Sequence, residues 1–166
     1  MYDDEGPAAL GVVPVEGRGS MPFALLHGES LVAVASWALG EAGVELLDFT
    51  AGWAQVKERG LPLVVHDPLC PGTPVGFLAE AVAAAADGRV VAGVRPVTDT
   101  VREADETGVL GRTVDRSTLL AVASPVVLPA EVVAALDELP GTDDLADLVV
   151  ALRQRFEVTL LEALPG

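Results

Sequence analysis

The sequence predicts an open, mainly parallel α/β sheet with helices on both faces. Three observations lead there. Short apolar runs of strand length alternate with longer stretches whose apolar residues recur at helical spacing, and such alternation builds a parallel sheet covered on both sides. Hydrophobic residues make up 51% of the 166 positions, enough for a two-sided core and too many for a disordered chain. Two Gly- or Pro-rich loops, 16–20 and 66–71, directly follow predicted strands, and the carboxyl ends of strands are where sheets of this class hold ligands.

Each element has its own signal. Residues 1–8 read as a flexible tail, and 9–166 as one domain. Ala9 to Val15 is a buried strand, and Glu16-Gly17-Arg18-Gly19-Ser20 a Gly-rich loop. Ser30 to Ala42 carries Leu31, Val34, Ala35, Ala38 and Leu39 at helical spacing, with Ser30 as N-cap and Gly43 just past the end. Val44 to Phe49 is a short strand, and Ala51 to Arg59 a helix stopped by Gly60. Leu61 to Val65 is a strand running into His66-Asp67-Pro68-Leu69-Cys70-Pro71, whose prolines fix a loop. Pro74 to Ala86 is a helix, with Pro74 tolerated in the first turn. Arg89 to Val94 is a strand. Residues 96–118 are extended and polar around Glu106-Thr107-Gly108, the pattern of a protruding hairpin. Leu119 to Ala123 is a strand and Pro129 to Glu138 a helix. Thr142 caps a helix over Asp143–Arg153, and Phe156 to Leu161 is the last strand.

Charge narrows the function classes. Ten Lys and Arg residues face twenty-five Asp and Glu residues, a net charge of −15. A nucleic-acid backbone needs clustered cations, so nucleic acid is excluded as partner. Lys57 is the sole lysine. One cysteine, Cys70, excludes an internal disulfide and a Cys-rich metal site, and two histidines, His27 and His66, leave little for zinc. The start Met1-Tyr2-Asp3-Asp4-Glu5 is acidic, unlike a signal peptide. The longest apolar stretch, Phe77 to Ala86, is interrupted by Glu80 and ends at Asp87, short of the roughly 20 residues that span a bilayer. The expectation is a soluble cytoplasmic protein with no membrane partner.

Several residues could carry chemistry. Gly17-Arg18-Gly19-Ser20 could cradle a phosphate with backbone N–H groups, or be a tight strand-to-helix turn. Asp67, at a strand's carboxyl end, suits a metal-binding carboxylate or a loop cap. His66 reads as an anchor of the strand end and His27 as a surface loop residue. Thr98, Asp99, Thr100, Asp115 and Arg116 could bind an anion, or make cross-strand and subunit contacts. Cys70 reads as an inert small hydrophobe, since no basic neighbour in sequence would lower its pKa. Asp143, Asp144 and Asp147 read as helix-start electrostatics.

The segments Pro96-Val97-Thr98-Asp99-Thr100-Val101-Arg102, Thr113-Val114-Asp115-Arg116-Ser117 and Ser124-Pro125 follow Leu63-Val64-Val65-His66-Asp67. Together with Val12-Val13-Pro14-Val15-Glu16-Gly17-Arg18-Gly19-Ser20-Met21-Pro22, they resemble the 2-C-methyl-D-erythritol 4-phosphate cytidylyltransferases of isoprenoid biosynthesis. The resemblance implies a Rossmann-like nucleotidyltransferase fold. It implies a homodimer whose hairpin arms, about 96–118 here, cross. It implies Mg²⁺-dependent joining of CTP to methylerythritol phosphate with release of pyrophosphate. On this reading Gly17, Arg18, Gly19 and Ser20 bind nucleotide and Asp67 holds the metal. Thr98, Asp99 and Arg116 serve the arm and the phosphorylated substrate, Arg116 reaching the neighbouring subunit's site.

The sequence departs from the resemblance where charge is handled. The family carries Arg or Lys after its second loop glycine, whereas Ser20 and Met21 follow Gly19 here. Phe23 stands after Pro22 where the family has Lys, and Cys70 where it has Arg. The interval from Phe49 to Leu61 is too short for the family's base-binding insertion, and Gly166 precedes its C-terminal metal-binding Asp and Lys. The expectation is therefore a divergent, catalytically impaired dimer that acts as a binding or regulatory module. The alternative is an active nucleotidyltransferase.

Overall fold

The computed structural model describes residues 6–47, 51–96, 102–104, 110–113 and 120–162, the two short central segments by their backbone. Ten strands and five α-helices are described: β1 Ala9–Val12, β2 Leu25–Leu26, β3 Glu29–Ser30, α1 Leu31–Glu41, β4 Val44–Leu46, α2 Trp53–Arg59, β5 Leu63–Val65, α3 Val75–Ala84, β6 Val90–Pro96, β7 Arg102–Ala104, β8 Leu110–Thr113, β9 Leu120–Leu128, α4 Ala130–Ala135, α5 Leu145–Arg153 and β10 Val158–Glu162.

Six strands form the main sheet in the order β10-β6-β9-β5-β1-β4. All neighbours run parallel except β9, which is antiparallel to both β5 and β6. The α/β class with a mainly parallel sheet is thus as the sequence predicts. Side chains alternate across the sheet, as the twofold period of a strand requires. Leu10, Leu63, Val65, Val90, Ala92, Val126 and Leu128 pack with Val56 of α2, Val132 and Val133 of α4, and Leu145, Leu148 and Leu152 of α5. Ala9, Val64, Val91 and Val127 face the other way, onto Ala38 and Leu39 of α1 and Leu78 and Ala81 of α3. The molecule is therefore a helix–sheet–helix sandwich with a core on each side.

Local signals explain most boundaries. The Ser30 hydroxyl accepts the Ala33 N–H at 3.1 Å and starts α1. Gly60 adopts φ +66° and ends α2. Several boundaries differ from expectation by a few residues, β1 ending at Val12, β6 running Val90–Pro96 and α4 Ala130–Ala135, and three differences are larger. The last helix is capped by Asp144, whose Oδ1 accepts the Ala146 and Asp147 N–H groups at 2.8 and 3.3 Å. Thr142 lies two residues before that cap, and its carbonyl accepts from Arg18. The strand expected over 119–123 runs on to Leu128, since Pro125 falls where the β6–β9 register shifts opposite Ala92–Val94, and a bulge tolerates a missing N–H. A small hairpin, β2 with β3, precedes α1 where the sequence signalled no strand; His27 and Gly28 form its turn at φ +52° and +86°.

β7 and β8 pair antiparallel in a sheet of their own, Arg102 opposite Thr113. Both lie within the expected hairpin region. Its turn, Glu106-Thr107-Gly108, and the arm residues Thr98, Asp99, Thr100, Asp115 and Arg116 lie outside the described residues.

Candidate functional site

The site is fixed by the register of two parallel strands. Val12, the end of β1, stands beside Val65, the end of β5. The loops that leave them, 13–20 and 66–73, therefore start side by side at one edge of the sheet. The His66 N–H donates to the Val12 carbonyl at 3.0 Å and holds the second loop to the first strand. Antiparallel β9 enters at the same edge and brings Val122, Ala123 and Ser124 against the loop after β5. The N-terminus of α5 closes the other side. The result is a cleft of about 430 Å³, lined among others by Gly17, Arg18, Asp67, Cys70, Asp143 and Asp144.

Gly17 permits this closure. It adopts φ +78°, and a Cβ there would lie 2.5 Å from the Asp143 Cβ. Only glycine satisfies both the left-handed backbone and the contact with the start of α5. Gly19 has φ +60°, and a Cβ at that position would meet nothing within 4 Å, so its need is conformational alone.

Arg18 turns inward. Its side chain is 4% exposed. Nε lies 3.4 Å from Asp67 Oδ1, and Nη1 donates to the Thr142 carbonyl at 3.0 Å. The guanidinium thus ties the Gly-rich loop to the end of β5 and to the turn before α5. Asp67 is held equally firmly. Its Oδ1 also accepts the Leu69 N–H at 2.8 Å, closing an Asx-type turn, and its own N–H donates to Ser124 Oγ at 2.9 Å.

His66 is 1% exposed. Its Nδ1 lies 2.6 Å from Ser124 Oγ. Ser124 Oγ also accepts the Asp67 N–H, so one hydroxyl ties His66 to the backbone of the loop that follows β5. Burial lowers the His66 pKa to about 4, against a smaller opposing pull from the Asp67 charge. His66 is therefore a neutral anchor of the strand end. Burial likewise pushes the Cys70 thiol up, Asp67 adds to the rise, and Arg95 and Arg18 partly offset it. Cys70 has no thiolate character to offer.

Of the expected nucleotide and metal residues, the structure brings Gly17, Arg18 and Asp67 to one cleft, with Gly19 and Ser20 on the same loop. Asp143 and Asp144 line it as well, which helix-start electrostatics alone did not place there. Arg95, on β6 opposite Ala121 and within electrostatic reach of Cys70, is a second cation at this edge of the sheet. Sequence reasoning passed over it; its position at the end of an apolar strand, just before Pro96, was the available signal. Among the described residues no group of three or more His, Cys, Asp and Glu side chains could hold a metal ion. Asp67 Oδ2 has no protein partner among the described residues. One such oxygen suits a Mg²⁺ that arrives with a ligand's phosphates, which needs only one or two carboxylates, and no all-protein cage is present among those residues.

These features define a nucleotidyltransferase-type α/β fold with its cleft at the carboxyl ends of β1 and β5. The same fold is seen in the crystal structure of 2-C-methyl-D-erythritol 4-phosphate cytidylyltransferase from Thermus thermophilus, with a TM-score of 0.62 and 21% identity over 95% of this chain and 89% of that one. Residues 49–160 match the family model of 2-C-methyl-D-erythritol 4-phosphate cytidylyltransferase, IspD, and the chain belongs to that family. It is similar to the enzyme of that name from Frankia casuarinae, 39% identical over 94 residues, covering 54% of this chain and 35% of the relative. The Nocardia farcinica enzyme is 35% identical over 97 residues, 57% of this chain and 42% of the relative. The matched part of the chain thus spans well under half the length of these curated relatives.

Proposed function

We propose that this protein is a divergent cytidylyltransferase-like module that binds a nucleotide or a phosphorylated small molecule weakly, as a dimer, with impaired catalysis. One observation carries the reading. The cation of the Gly-rich loop, Arg18, lines the cleft but is buried against Asp67, so its charge is already paired. In cytidylyl transfer, a phosphate oxygen attacks the α-phosphorus of CTP, and charge builds on the α-phosphoryl and the departing pyrophosphate. Fixed cations and N–H donors must meet that charge. Gly17 and Gly19 leave backbone N–H groups on the loop, but Ser20, Met21 and Phe23 add no charge. A bound Mg²⁺, held by Asp67 and the ligand's phosphates, would neutralise part of it.

The alternative is a working nucleotidyltransferase that joins CTP to methylerythritol phosphate in isoprenoid biosynthesis. It is favoured by the presence of Asp67, Thr98, Asp99 and Arg116 at the family's motif positions. Calorimetric titration with CTP and Mg²⁺ at low salt, followed by a pyrophosphate-release assay, separates the two. Binding no tighter than millimolar without turnover supports the impaired module. Pyrophosphate release that Asp67→Ala abolishes establishes the enzyme instead.

Dimerisation is proposed to run through the arm. β7 and β8 form a two-stranded sheet separate from the main one, and an isolated pair of strands is marginally stable in water without something to pack on. Arg116→Ala is expected to shift sedimentation toward monomer and leave the far-UV spectrum unchanged. An unchanged dimer removes Arg116 from the interface. A cytoplasmic location is part of this proposal. No helix among the described residues is long and apolar enough to cross a membrane.

A further inference from the structure

We infer that Asp67 sets the charge preference of the cleft by competing with a ligand's phosphate for Arg18. The inference rests on the reading that this cleft is the ligand site. Arg18 is the one cation among the described residues lining it, and its side chain is 4% exposed. The Thr142 carbonyl and Asp67 Oδ1 fix the guanidinium from two sides. Asp67 is pinned in turn by the Leu69 N–H on its Oδ1 and by its own N–H on Ser124. Neither partner is free to swing away and leave the other to a ligand.

A phosphate oxygen placed in contact with Arg18 would therefore also stand within a few ångströms of Asp67. Attraction to the first and repulsion from the second are then of comparable size, because both scale inversely with distance in the same medium. The other charges on the cleft wall are Asp143 and Asp144, which add repulsion. Arg18 thus acts as a strap that shapes the loop, and Asp67 is the residue that decides whether its charge reaches a ligand.

The test uses inorganic triphosphate without Mg²⁺, so that a metal-binding role of Asp67 does not enter. Asp67→Asn keeps an oxygen for the Leu69 N–H and removes the charge. It is expected to tighten triphosphate binding by about tenfold or more over the wild type, equivalent to about 1.4 kcal/mol. Adding Arg18→Gln is expected to erase the gain. Asp143→Asn removes one unit of charge from the same wall without touching Arg18, and is expected to tighten binding by no more than about threefold, since it changes only the general field. Near-UV circular dichroism checks each fold, and Asp67→Ser takes the place of Asp67→Asn under the same criteria if the latter does not fold. The inference is overturned if Asp67→Asn binds no tighter than the wild type, if Asp143→Asn gains as much, or if the gain survives in the Arg18→Gln background. Where the wild type binds and Asp67→Asn brings no gain, only this inference falls. Where neither binds, the ligand-site reading falls with it.

Discussion

Replacing His66 by asparagine should make the protein's stability less sensitive to acid. The imidazole is fully enclosed, hydrogen-bonded to Ser124, and burial lowers its pKa to about 4 from an ordinary 6.5. As pH falls through about 6.5, His66 in the unfolded chain takes up a proton, while the folded chain excludes it until about pH 4. A histidine whose folded pKa is depressed therefore contributes stability that is complete above about 6.5 and is lost as pH drops toward 4. The gap of roughly 2.5 pH units, at 1.36 kcal/mol each, comes to about 3 kcal/mol. That is a large share of the ~5–15 kcal/mol that holds a typical domain. The asparagine of His66→Asn would retain a donor and an acceptor for the Ser124 hydroxyl but cannot titrate. Urea unfolding of both proteins from pH 7 to pH 4 measures the difference. The many carboxylates affect both chains alike and cancel in the comparison. The wild type should lead at pH 7, where the smaller side chain of the variant leaves a cavity, and its lead should narrow by about 3 kcal/mol, or reverse, by pH 4. A difference that stays flat across that range would refute the neutral, enclosed imidazole.

Three further outcomes follow from packing and backbone. Gly17→Ala should cost more than Gly19→Ala in urea unfolding: both carry the ~1–2 kcal/mol of a left-handed L-residue, but only Gly17 also drives a Cβ to 2.5 Å from Asp143. Equal costs would mean that the loop does not pack on α5. Gly93→Ala should lower the melting temperature sharply, because its Cβ would meet the Ser124 carbonyl oxygen of β9 at 2.7 Å, a backbone atom that cannot turn aside as a flexible side chain would. Leu148→Ala, at a position with no exposure in the larger core, should destabilise by about 3–5 kcal/mol, with the urea m-value unchanged.

What the sequence made legible was what local chemistry decides. The apolar runs at Leu63-Val64-Val65 and Val90-Val91-Ala92 could be read as buried strands because neighbours along the chain report the burial directly. Ser30 and Gly60 could be read as helix ends because their capping partners lie within a turn. The misplaced cap at Thr142 shows the limit. Asp144, directly before the first helical residue, takes the cap with its own carboxylate, while the Thr142 carbonyl is engaged by a guanidinium 124 residues earlier, a contact that nothing within the 142–147 segment records. Arg18 is harder still. An arginine between two glycines reads as an available cation, yet it is buried against acceptors on two distant segments, Asp67 and Thr142, besides Glu16 of its own loop. The presence of a cleft followed from strand order, but its sign depended on which way one side chain turned.

The glycine that lets the loop close also brings the carboxylates in. Nucleotide-binding α/β folds meet phosphate with two sources of positive potential, cationic side chains and the free N–H groups at a helix N-terminus. Both sources border this cleft, and Arg18 and the start of α5 are each met by a carboxylate of the chain itself. Asp67 stands against Arg18, and Asp144 accepts the Ala146 and Asp147 N–H groups at the start of α5. Without a Cβ at Gly17, the loop settles against Asp143, and the start of α5 sits close enough for its carboxylates to join the wall. The two contacts stabilise the fold by the same means that a bound phosphate would. A chain of net charge −15 can therefore keep the family's architecture intact with no ligand to complete it. The same contacts leave the positive groups of the cleft already paired within the chain.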